Sequence, residues 1–185
     1  MTTHATHPGA MPNIEETRWR IDPARSSVEF HVPHFWGLIT VKGRFEHYAG
    51  ILDLSAQPAV ELTIDADSLD TKRKQRDRHL RSADFFDVNE HPHVRFESDD
   101  AKFYGERLRV RGRLHAAGRN IQLDVDATLR RVAEELEVDV IADADHRQLG
   151  MRWSPLGMIR TPSKLVVHGR LIHDDGAPRT AQRAA

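Results

Sequence analysis

The side chains in this chain that could carry chemistry are chiefly histidines and carboxylates. Twelve histidines are many for 185 residues, and two pairs have a spacing that a metal would tolerate. These are His31-x-x-His34 and His91-Pro-His93, the second on one face if Pro92 begins a strand. Two histidines on one face make half of a zinc site, which needs three or four ligands and outer hydrogen bonds to orient them. A metal-assisted or hydrolytic centre built on His31, His34, His91 and His93 is therefore the enzyme alternative. The carboxylates point elsewhere: Asp65-x-Asp67, Asp124-x-Asp126 and Asp143-x-Asp145 recur at every second residue. That is the spacing of outward side chains on a strand rather than of a paired acid and base. No G-x-S-x-G, P-loop, G-x-G-x-x-G or H-E-x-x-H run is present, and the lack of cysteine removes thiolate chemistry. The expectation is a protein with no catalytic residues, no metal and no cofactor.

One further cluster is charged rather than catalytic. Lys72, Arg73, Lys74, Arg76, Arg78 and Arg81 place six cations within ten residues, softened by Asp77. As a collar at the mouth of a cavity they would attract a phosphate head group or an anionic membrane, at about 1 kcal/mol per cation near the surface. The preferred account is plainer: a solvated loop and short helix around Gln75–Ser82, with Leu80, Phe85 and Phe86 plugging the domain. Across the chain, 27 Lys and Arg meet 28 Asp and Glu for a formal charge of −1, which argues against a nucleic-acid partner. No stretch approaches the ~20 apolar residues of a membrane-spanning helix.

The elements that must position these residues are strands. Val28, Phe30 and Val32 alternate with Ser27, Glu29 and His31. The same period of two runs through Val60–Ala66, Arg107–Leu114, Ile121–Leu129 and Leu136–Ala142. Each run has one apolar and one charged face, the pattern of antiparallel sheet wet on one side. The Val41/Gly43/Phe45 phase shifts parity by Leu52/Leu54, which predicts a bulge or bend near Ala49–Gly50. A turn at Ala133 would set Leu129 against Leu136 and Arg130 against Glu135. The arginines of Arg107–Arg113 are expected beside Asp124 and Asp126, as a self-compensating outer face. An all-β domain results, and closed into about eight strands it would have a lumen just wide enough for side chains or one ligand. A run such as Ile121–Arg131 would extend some 35 Å at ~3.3 Å per residue.

The segment that breaks the alternation also carries a resemblance. QRDRHLRSADFFDVNEHPHVRF resembles the RDxHLRSxDFFDVxxxPxxxF run of the YceI-like family of polyisoprenoid-binding proteins. WRIDPARSSVEF is similar to that family's opening motif, TIDADSLDT to its next strand, and DHRQLGMRW to its D-R-x-x-F-G-x-x-W, with His146 and Leu149 as departures. Lys72, Arg73 and Lys74 stand where the family more often has small or acidic residues, and Ala116 and Asn120 replace a glycine and a proline in LHAAGRNI. The resemblance spans about Trp19 to Leu171 and implies a lipocalin-like barrel enclosing an isoprenoid chain, in a homodimer.

The sequence therefore sets these expectations. Residues 1–17 and 174–185 are tails around a single domain, 18–173, an antiparallel lipocalin-like β-barrel with one short helix. It binds, without catalysis, a long isoprenoid such as a prenyl-quinone or prenyl phosphate. Lining or closing residues are Val32, Phe35, Trp36, Phe45, Ile64, Leu80, Phe85, Phe86, Phe96, Val110, Leu123, Val125, Val138 and Trp153. Arg76, Arg78 and His79 are the candidates for the head group or mouth, with peripheral contact to anionic membrane through Lys72–Arg81. His79 is expected to orient the helix rather than ligate metal. The missing cysteines and the missing apolar h-region in 1–17 set a cytoplasmic expectation.

Overall fold

A computed structural model describes residues 18–34, 39–55, 57–145, 148–151 and 163–174, the side chains of His34 and Ile39 excepted. The expected tails, apart from Asp174, lie outside the described residues, as do Phe35, Trp36 and Trp153. The strands are β1 (Arg18–Ile21), β2 (Ser27–His34), β3 (Ile39–Phe45), β4 (Tyr48–Asp53), β5 (Ala59–Asp65), β6 (Leu69–Asp70), β7 (His93–Tyr104), β8 (Arg107–Ala116), β9 (Arg119–Val132), β10 (Glu135–Ala144) and β11 (Ser163–His173). The helix α1 spans Lys74–Arg81, between β6 and β7.

These segments build a closed antiparallel barrel of eight strands. Three staves are made of two segments each. β1 and β2 both lie on β11, with Trp19 opposite His173 and Ser27 opposite His168, and a 3-10 turn at Pro23–Arg25 separates them. β3 continues into β4 and β5 into β6; β7 to β11 follow as single staves, and β11 closes on β1 and β2. Closure through β11 onto β1 and β2 leaves no stave without a partner on either side, although the β9–β10 ladder stops at Val140 opposite Ala127.

Parity decides what faces inward. Along β8 and β9 every second residue is buried, from Leu108 to Ala116 and from Ile121 to Leu129. Outside, Arg109 Nε donates to Asp126 at 2.9 Å and Arg111 Nε to Asp124 at 3.0 Å, the compensating face expected from the sequence. The Arg109 guanidinium, by that hydrogen bond, holds the Asp126 carboxyl below its ordinary range.

Three local readings are corrected. The parity change in the second stave falls at Glu46–His47, between β3 and β4, and not at Ala49–Gly50, which sit inside β4. The β9–β10 turn holds Ala133 with a positive φ of 56°, but the register is two residues away from that expected. Leu129 meets Val138 and Arg130 meets Glu137. A slip of two keeps every side chain on its face, which is why the patterning alone did not distinguish the two registers. In β7 the register against β8 shifts between Ser98 and Asp100, a bulge that moves the inward phase from Phe96 to Ala101 and Phe103. The Ser98 hydroxyl accepts from the Val60 amide there, at 2.8 Å.

Helix α1 caps one end of the barrel. Its only buried apolar residue is Leu80, so burial alone holds it weakly, and polar pins do the rest. Asp77, itself buried, accepts from the Thr71 amide at 2.9 Å and from the Thr71 hydroxyl. Arg76 Nε donates to that same hydroxyl oxygen at 2.7 Å, and Arg81 donates to the carbonyls of Asp67 and Leu69. The chain after the helix then drives Phe85 and Phe86 into the barrel end. There Phe86 meets Phe45 with ring centroids 6.0 Å apart, and Phe45 meets Phe30 at 5.5 Å.

Candidate functional site

The inward faces of the barrel leave two apolar cavities. The first, in the half away from α1, has a volume of about 110 Å³ and is walled by residues of all eight staves, from Ile21 and Leu52 to Val138 and Leu171. The second, of about 80 Å³, lies under α1 between Phe30, Val32, Phe45, Phe85, Phe86, Leu149 and Met151. Each exceeds by several-fold the ~10–15 Å³ that admits one water on the same measure. Leu165 lines both, so the cavities meet at its side chain. Among the described residues, Glu61 is the one charged residue around the first cavity and Lys164 the one around the second. Such walls offer water few partners and offer a hydrocarbon full contact.

Glycines set how the rings lie across this lumen. A Cβ on Gly112 would stand 2.4 Å from the Glu97 carbonyl and 2.7 Å from the Phe96 ring, so Phe96 lies flat over a position that only glycine leaves open. Gly43 does the same for Phe30, whose ring tip would be 2.3 Å from an added Cβ. Ring-over-glycine packing across neighbouring strands keeps the aromatic side chains against the wall rather than across the bore.

Of the residues expected to line or close the lumen, Phe96, Val110, Leu123, Val125 and Val138 stand around the first cavity. Val32, Phe45, Ile64, Phe85 and Phe86 stand around the second. Leu80 is buried in the core but lines neither. Missed from the sequence were Leu165, Val167 and Leu171 of β11. Their alternation is blurred because Val166 and Ile172, on the other parity, are apolar too. Leu149 and Met151 were also missed, since they come from a turn rather than from a strand.

The charged candidates sit differently. Arg76, Arg78 and His79 line neither cavity. Arg76 is turned onto Thr71, and Lys72 and Arg81 pair with Asp70 and Asp67. Arg73, Lys74 and Arg78 are exposed, and Lys74 and Arg78 share a helix face at i, i+4. Of the histidines of the enzyme alternative, His31 is not brought together with His91 and His93, and the side chain of His34 lies outside the described residues. His31 sits on β2, with Nε2 2.9 Å from Glu29, whereas His91 and His93 are at the start of β7. Two staves separate those strands, and the ring of His91 lies against Gly118. Among the described residues no three His, Asp or Glu side chains are grouped to hold a metal ion.

Comparison with known proteins places this barrel. The model of the YceI-like domain matches residues 19–170. Among curated proteins, a UPF0312 protein of Pectobacterium carotovorum is 33% identical over 106 residues, and one of Pseudomonas aeruginosa is 32% identical over 106 residues. Each alignment takes in 55% of this chain and 55% of the relative, so the chain spans about half the length of the curated relatives it matches. Among solved structures, Burkholderia cenocepacia BcnA superposes with a TM-score of 0.75 at 19% identity, over 81% of this chain and 98% of that one. A polyisoprenoid binding domain from Saccharophagus degradans, implicated in plant cell wall breakdown, gives 0.67 at 14% identity, over 84% and 98%. At these identities the likeness is one of fold.

Proposed function

The chain belongs to the YceI-like family, and from that premise we propose that it is a binding protein that holds the chain of a long isoprenoid lipid in the barrel lumen, without catalysis. The observation that carries this reading is the pair of apolar cavities meeting at Leu165, walled almost wholly by hydrocarbon along the barrel. The inward residues of β9 from Ile121 to Leu129 alone extend ~26 Å at ~3.3 Å per residue, a length that suits a chain better than a compact ligand. Each buried methylene contributes ~0.8 kcal/mol, so about ten reach micromolar affinity before ordering costs. The fold shared with a polyisoprenoid binding domain supports the same class of ligand.

The exposed cations Arg73, Lys74 and Arg78 give the helix end a weak attraction to anionic membrane, at about 1 kcal/mol each near the surface. The working form in this reading is a homodimer, as the family resemblance implies. Native mass spectrometry with lipid extraction tests the function. The expected result is a prenyl lipid co-purifying with the protein, or saturable uptake of added ubiquinone-8. Protein that stays empty and refuses ubiquinone-8 would overturn the reading. Sedimentation with and without phosphatidylglycerol vesicles reads the dimer and the membrane contact.

A further inference from the structure

β9 outruns the ladder that joins it to β10. That ladder begins with Val132 opposite Glu135 and ends with Ala127 opposite Val140. Beyond it β10 runs on to Ala144 against β11, and β9 runs on to Arg119 against β8. Among the described residues, a wedge without ladder pairs therefore separates 119–126 from 141–144. Its apex is at Ala127 and Val140, and it widens toward the cavity under α1, which Ala116 and Ala144 line.

The flanks of this wedge belong to the lumen. Had the register continued, Ala142 would face Val125 and Ala144 would face Leu123. Leu123, Val125 and Ala142 line the first cavity, and Ala144 lines the second. After Val138 and Val140, β10 turns only the small alanines inward along the wedge. Ala142 is also the ladder partner of Leu165, where the two cavities meet. On the outer face Ile141 is 62% exposed, an apolar side chain between Asp139 and Asp143.

A turn fills the wide end. Gln148 donates its amide to the Asp145 carbonyl at 3.0 Å, just past the end of β10. A Cβ on Gly150 would stand 2.5 Å from Arg119 Nε, so the turn reaches the side chain that begins β9. Leu149 and Met151, both buried, line the second cavity from this turn. Here side chains close what a ladder closes elsewhere, and local opening costs least where few backbone bonds must break.

Resting on the isoprenoid reading, we propose that the wedge between residues 119–126 and 141–144 is a lateral portal of the lumen, plugged by Leu149 and Met151, through which an apolar chain enters. Displacing the plug moves two side chains and breaks no rung of the ladder. A chain entering beside Ala142 arrives at the junction of the two cavities and reaches both without passing the Phe85 and Phe86 cap.

The test measures uptake and release of the fluorescent apolar probe N-phenyl-1-naphthylamine, and separately of ubiquinone-8, by stopped flow. Leu149→Ala and Met151→Ala, folded by circular dichroism, are expected to speed uptake and release together by about tenfold, as truncating a packed side chain removes at least one such step. A change in release alone would make these residues lining and not plug, and would overturn the portal. The chain has no cysteine, so Asp124→Cys/Asp143→Cys can be bridged across the outside of the wedge with dithiobismaleimidoethane, leaving the core as it is. Bridging is expected to slow both rates, and reduction with dithiothreitol to restore them. Bridged protein that exchanges at wild-type rates overturns the portal with binding intact, and faster exchange in Phe86→Ala would then place entry at the helix end. Wild-type protein that takes up neither probe nor quinone removes the binding reading, and the portal with it.

Discussion

The buried carboxylate of Asp77 accepts from both the amide and the hydroxyl of Thr71, six residues earlier, closing a loop at the base of the capping helix. Arg76 completes the arrangement by donating to the same hydroxyl oxygen and to the Thr71 carbonyl. In a helix with one buried apolar residue, this pair sets where Phe85 and Phe86 sit. Asp77→Ala leaves two buried donors without an acceptor and is expected to destabilise the fold by about 1–3 kcal/mol. Asp77→Asn, which keeps one acceptor oxygen, should lose less. Urea unfolding reads the magnitude, and hydrogen exchange should localise the loss to residues 71–88; a uniform increase in exchange would contradict the pinning role.

Much of the barrel is visible in the sequence because its signal is simple. Where strands are wet outside and dry inside, as in Arg107–Leu114 and Ile121–Leu129, alternation names the lumen residues one by one. What hides is of three kinds. Two-residue slips keep every face unchanged, so Leu129 opposite Val138 looks like Leu129 opposite Leu136. Breaks reset the phase, as at Glu46–His47 and at the Ser98–Asp100 bulge. Roles depend on partners far along the chain or on burial: Arg76 reads as a free cation until Thr71 is seen beside it, and Asp77 reads as a diluent of charge until its burial is known.

The strand glycines make a contrasting set. Gly112→Ala puts a methyl 2.4 Å from the Glu97 carbonyl and 2.7 Å from the Phe96 ring, and backbone there cannot step aside. The expected cost is about 1–3 kcal/mol from overpacking. Gly50→Ala meets nothing closer than 3.4 Å and should be neutral or slightly stabilising through the unfolded chain. Thermal unfolding of the two single variants checks the order, and equal losses would sink the explanation.

Acid should loosen the join between β1 and β2 in a way that one arginine controls. The Arg25 guanidinium grips Glu135 with two hydrogen bonds, at 3.0 and 2.7 Å, and donates to Asp22 at 2.7 Å. Those bonds hold both carboxyls below their ordinary values of 4.5 and 3.8. Because the folded pKa values are depressed, the stabilisation is present above the ordinary values and fades as pH falls through the depressed ones. The loss of Tm from pH 5 downward should therefore be shallower in Arg25→Gln than in wild type. The gap between the two curves should narrow with added salt, since these groups face solvent. Parallel acid curves would show that this cluster does not couple to folding.

Leu165, which lines both cavities, offers the sharpest check on how the lumen is used. If one ligand chain runs through both compartments, it must pass this side chain. Affinity should then grow with chain length until both are occupied, because each further isoprene unit buries five more carbons at ~0.8 kcal/mol apiece before ordering costs. Leu165→Trp places a ring at the junction and should separate the compartments. Wild type is expected to bind ubiquinone-8 much more tightly than ubiquinone-2. In Leu165→Trp that preference should shrink, chiefly through weaker binding of the long chain, while the short quinone still fits one compartment. Competition against N-phenyl-1-naphthylamine measures both ligands on the same protein, and thermal unfolding of the variant confirms that the barrel is intact. A long-chain preference unchanged in the folded variant would mean that the chain lies within one cavity, or outside the lumen altogether.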